Sequence, residues 1–166
     1  MEAKRLAVGF GWGLVATLAM SALMVLGVAT GLSPMPSPIP EALVSKVVGG
    51  MLGTDIPRPA VMVLAVVSHF AYGGVAGAVL AALTRPVTVW RGLGWGVLLW
   101  LVMDLVVLPL LGWGVFGTAI TPRIAVATLF LHLVYGATLG VLMDRGQRKW
   151  RPRRGDFFGE RKWTEG

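Results

Sequence analysis

The residues best suited to chemistry in this chain are two histidines, and each opens a copy of the same phrase. Residues 69–77 read HFAYGGVAG and residues 132–140 read HLVYGATLG, both fitting His-x-x-Tyr-Gly-x-x-x-Gly. His69 and His132 lie inside long apolar runs. An imidazole in such surroundings can ligate a metal ion or a haem iron, relay a proton, or hydrogen-bond across a helix contact. Two histidines on related helices would suit a b-type haem held from both faces, with glycine making room for the macrocycle. The structural alternative is a hydrogen bond across a helix interface and nothing more. Tyr72 and Tyr135 follow three residues after each histidine; they either donate hydrogen bonds to the same cluster or cap packing layers.

Asp104 is the other ionisable group set in apolar sequence. A carboxylate inside a membrane segment is a functional candidate by default, as a proton or cation carrier. A second doubled phrase gives it a counterpart: residues 9–21, GFGWGLVATLAMS, align without a gap to residues 92–104, GLGWGVLLWLVMD, so that Ser21 stands opposite Asp104. A buried carboxylate needs a partner to stay charged. The expectation is therefore that Asp104 pairs with one histidine and that Ser21 fills the weaker equivalent position. The eight methionines, Met20, Met24 and Met103 among them, offer soft thioether ligands of the kind copper prefers. At helical spacing they also serve as core filler. With no cysteine, thiolate metal sites, disulfides and a cysteine nucleophile are excluded. No His-Glu-x-x-His, nucleophile elbow or phosphate loop appears, and the Gly-x-Gly-Trp-Gly phrases lack the strand–loop–helix context of a nucleotide site. No catalytic residue emerges, and a non-enzyme is expected.

The elements that must position these groups are membrane helices. The chain has 166 residues, 55% hydrophobic and only 14% charged, against about 25% charged for a soluble domain. Its mean hydropathy is +0.74. Apolar runs at 6–32, 60–83, 89–111 and 123–143 each reach the about 20 residues needed to span the hydrocarbon core. The first exceeds a signal-peptide core of about 7–15 residues and matches the third, so it is read as retained. Between the first two, residues 33–59 form a Pro-rich connector and a short amphipathic helix. Leu43, Val44, Val47, Val48, Met51 and Leu52 fall on one side, suited to the membrane surface. Pro57 and Pro59 are expected to end it. Pro109 is expected to bend the third span, and Trp90 and Trp95 to anchor it at headgroup level.

The doubling predicts an all-α, four-helix transmembrane bundle of two tandem, parallel helical-hairpin repeats, 6–85 and 89–144, within a 1–144 transmembrane domain. His69, Gly73 and Gly77 share one helix face, as do His132, Gly136 and Gly140, and these small residues let backbones approach closely. Counting 1.5 Å per residue puts both histidines about 15 Å from the outer surface and Asp104 about 12 Å, near one level. Lys and Arg number twelve on the side of the termini and three on the other, so both ends are expected in the cytoplasm. In a prokaryote this is a multi-pass protein of the cytoplasmic (inner) membrane. The tail, 145–166, carries Arg145, Arg148, Lys149, Arg151, Arg153 and Arg154, which would attract anionic lipid at about 1 kcal/mol each near the surface. Its interleaved aromatics would also suit single-stranded nucleic acid, but topology already requires the charge, and no nucleic-acid partner is expected.

The order of spans, the long Pro-rich first loop and the recurrent His-x-x-Tyr-Gly resemble small four-span prokaryotic membrane proteins of the YagU-like kind. The resemblance covers most of the chain, supports the span count, and transfers no catalytic residue. The function expected is an accessory or assembly subunit whose Gly-lined faces dock on other membrane subunits or on a second copy. A bis-His haem electron carrier using His69 and His132, and a small proton or ion carrier built on Asp104 and the histidines, are the alternatives.

Overall fold

The computed structural model describes residues 2–53 and 56–149, and it is all-helical among them. Helix α1 covers Glu2–Ala29, α2 Ile39–Leu52, α3 Arg58–Leu83, α4 Val89–Leu111 and α5 Arg123–Lys149. All but α2 are long and apolar enough to cross a membrane. The fourth span runs on past residue 143, so the start of the basic tail is helical. Residues 150–166, with Arg151, Arg153 and Arg154 of the expected lipid-binding cluster, lie outside the described residues.

Glycine decides how the spans pair. In one hairpin, α1 lies antiparallel on α3: a side chain at Gly13 would run into the carbonyl of Gly73, and one at Gly9 into that of Gly77. In the other, α4 lies antiparallel on α5: a side chain at Gly92 would meet the Gly136 carbonyl, and one at Gly96 the His132 carbonyl. Such contacts supply the packing that lipid cannot drive by hydrophobicity. Helix α1 also packs on α5, which joins the hairpins. The small-residue faces read from sequence as docking surfaces for other helices are thus occupied within the chain.

The two hairpins are not packed in the same register. Sequence matching sets Gly73 against Gly136, whereas Gly13 meets Gly73 and its counterpart Gly96 meets His132, four residues earlier. Relative to their partners, α3 and α5 differ by one turn, about 6 Å. The expected equivalence of the two histidines is corrected accordingly.

At one end, the α3–α4 connector is tied to both chain ends. Arg5 Nη2 donates to the Thr84 carbonyl at 3.0 Å, and Arg85 meets Glu2 at 3.2 Å. The Gln147 side chain accepts from Val87 N–H at 3.1 Å and donates to its carbonyl at 3.3 Å. At the opposite end, α2 folds back on the bundle. Ile39 joins buried Leu108 and Ile124, and Val44 joins Val61 and Ala65, while Val47, Met51 and Leu52 stay exposed. The apolar face of α2 is therefore divided between protein and surroundings. The helix stops at Gly53, whose left-handed backbone (φ 63°) places its N–H on the Gly49 carbonyl. Pro57 and Pro59 instead open α3, where a missing N–H costs nothing.

Candidate functional site

Four buried side-chain atoms among the described residues have no hydrogen-bond partner: Ser21 Oγ, His69 Nε2, Trp95 Nε1 and Asp104 Oδ1. All four belong to membrane-spanning segments. Native interiors contain few such groups, and each invites an explanation.

Asp104 is fully buried, at 0% exposure. It sits in a π-helical turn, Met103–Val107, within α4. The cause is Pro109: it offers no N–H to the preceding turn, and a local π adjustment is one way a membrane helix accommodates that loss. Thr128 on α5 places its hydroxyl 3.1 Å from Asp104 Oδ2, 2.9 Å from the Ile124 carbonyl and 3.1 Å from the Ala125 carbonyl. One turn further along α5, His132 Nδ1 donates to the Thr128 carbonyl at 2.8 Å. The expected Asp104–imidazole pair is therefore not formed. Thr128 stands between them, its hydroxyl facing the carboxyl group and its carbonyl holding the ring.

His132 is 5% exposed and, with His69, lines a cavity of about 10 Å³, room for about one water molecule. Thr17, Met20, Tyr72 and Tyr135 line it too. Tyr135 Oη donates to the Gly73 carbonyl at 2.6 Å. Tyr72, at the corresponding phrase position, is 50% exposed and makes no hydrogen bond among the described residues. Thr17 turns its hydroxyl back to the Gly13 carbonyl at 2.8 Å, against Gly73. The space between the imidazoles is that of a single atom or small molecule.

This polar layer lies between two apolar ones. Toward the chain ends, Ala16, Leu80, Leu139 and Met143 are buried together. Toward the α2 end, Ile39, Leu108 and Ile124 close the bundle. Trp90 is 81% exposed. Trp95 packs against the core with its ring nitrogen unpartnered.

Thr128 escaped sequence reading because it is neither titratable nor part of a doubled phrase. Its position one turn before His132 was the available signal. Trp100, whose Nε1 donates to the Ala125 carbonyl at 3.1 Å, also braces α4 against α5 beside the site. Comparison with family models, curated proteins and solved structures returned no match to this chain.

Proposed function

We propose that this integral membrane protein is non-enzymatic and works by taking up a proton inside the bilayer, in a polar layer built from Asp104, Thr128, His132 and His69. The observation that carries the reading is Asp104: fully buried, in a membrane span, with one carboxyl oxygen unpartnered. A carboxyl group kept only for packing would be replaced at no loss by an apolar residue, because an incompletely satisfied buried charge is costly. Intramembrane carboxylates are retained where they bind or move ions.

The proton inventory supports the reading. Thr128 carries one hydroxyl proton and faces three oxygens, two of them carbonyls that only accept. With a proton on Asp104 Oδ2, Asp104 donates to Thr128 and Thr128 donates to its own helix, and only Oδ1 is left without a partner. Without that proton the Thr128 hydroxyl must turn to the carboxylate. The hydroxyl rotor thus couples the protonation of Asp104 to the Ile124 and Ala125 carbonyls, on the turn of α5 that precedes the Thr128–His132 hydrogen bond. The apolar layers on both sides favour a carrier that opens to one side at a time, not an open pore.

In this reading the doubled phrases are a duplicated hairpin, both ends face the cytoplasm, and the basic tail rests on anionic lipid. The membrane is the cytoplasmic one. The test is proton uptake in liposomes containing purified protein, driven by a potassium potential and read by an internal pH dye. Saturable uptake that falls at least about tenfold in Asp104→Asn supports the proposal. Uptake equal to that of empty liposomes overturns it, and co-purification of a stoichiometric partner with a silent protein would favour an accessory subunit.

A further inference from the structure

The histidine cavity lends itself to a more specific assignment than the polar layer as a whole. We propose that it is a binding site for a soft monovalent metal ion of the Cu(I) class, held by His69, His132 and Met20. The inference takes its cavity from the functional reading above but does not depend on Asp104.

The ligand atoms are prepared in different ways. His132 Nδ1 faces the Thr128 carbonyl at 2.8 Å, and a carbonyl only accepts, so the ring proton resides on Nδ1. Nε2 is left with its lone pair, and a carbonyl behind the other ring nitrogen is the usual way a metal-ligating imidazole is oriented. His69 Nε2 is buried and has no partner. An imidazole kept for packing alone could take a backbone carbonyl, as His132 does one helix away; His69 does not. Met20 brings a thioether to the same cavity. Its neighbour Met24, four residues on, lines a separate apolar groove with Val25 and Val28, so the two sulfurs have different surroundings.

The charge and softness of the set select the ion. Two imidazoles and a thioether are neutral ligands, and neither Asp104 nor any other carboxylate lines the cavity. Among the described residues no three His, Cys, Asp or Glu side chains cluster. Self-energy in a low-dielectric interior grows with the square of the charge, so a divalent ion would be penalised about fourfold more than a monovalent one. Thioether and imidazole together favour Cu(I) over hard cations such as Mg(II) or Ca(II). A volume of about 10 Å³ suits one bare ion.

The test is anaerobic titration of the detergent-purified full chain with Cu(I), in competition with a bicinchoninate chelator. One Cu(I) per chain is expected. Met20→Leu, which conserves volume, should lower affinity about tenfold, and His69→Ala or His132→Ala about a hundredfold, while Met24→Leu binds as the parent does. X-ray absorption on the loaded parent protein should show sulfur together with nitrogen, which decides the matter even if the histidine variants do not fold. Failure of the parent to take Cu(I) from the chelator would overturn the proposal, as would parental affinity in Met20→Leu. Cu(I) binding without proton uptake leaves this site standing and removes the carrier reading; proton uptake without Cu(I) binding does the reverse.

Discussion

Tyr135 donates its phenolic proton to the Gly73 carbonyl across 2.6 Å, linking the second helix of one hairpin to the second helix of the other. Tyr72, its counterpart in the doubled phrase, is half-exposed. Tyr135→Phe should therefore destabilise the protein by about 1 kcal/mol, within the range for hydrogen bonds between membrane helices. Tyr72→Phe should be neutral. Paired unfolding curves in detergent check the difference, and equal effects would contradict it.

Glycine substitutions should divide by position. Gly13→Ala and Gly96→Ala put a methyl group into the backbone of the facing helix, at a cost of about 1–3 kcal/mol or a shifted helix pair. Gly11→Ala and Gly94→Ala, two residues away, meet open space and should be neutral or stabilising. Thermal stability of the four variants, side by side, reads this out.

The same glycines show what the sequence could and could not disclose. His69, Gly73 and Gly77 fall at four-residue intervals, so their common face was legible from spacing alone. That regularity also hides the register: a stripe repeating every turn can slide by one turn and still present glycine, and this is how the two hairpins come to differ. The partner of Asp104 depends on that register, which is why Thr128, and not a histidine, lies against it. Pro109 was legible as a perturbation, but its absent N–H can be accommodated by a kink or a π turn, and only the structure distinguishes them. The span limits were set by composition and came close; the extension of α5 to Lys149 was obscured by the polar residues that begin at Asp144.

That extension predicts a role for Gln147. Its amide makes two hydrogen bonds to the Val87 backbone, fixing the connector between α3 and α4. Gln147→Ala should cost about 1–2 kcal/mol and increase proteolysis at residues 84–88, with the spans intact. Limited proteolysis from the tail side measures it, and an unchanged cleavage pattern would contradict it.

Function and stability should trade against each other at Asp104. Asp104→Leu removes an incompletely satisfied buried group and should stabilise the fold by about 1–3 kcal/mol while abolishing proton uptake. Thr128→Val keeps the shape but strands the carboxyl group, and should destabilise by about 1–3 kcal/mol. An Asp104→Leu protein that was both less stable and fully active would leave the carboxyl group with a packing role only.

Infrared difference spectroscopy on the protein in lipid, stepped between acid and alkaline buffer, observes the proposed proton at its site. The expected result is a carboxylic-acid carbonyl band that appears and disappears with the step, is absent in Asp104→Asn, and moves in Thr128→Val. A spectrum without such a band, or one that Asp104→Asn leaves unchanged, would contradict it.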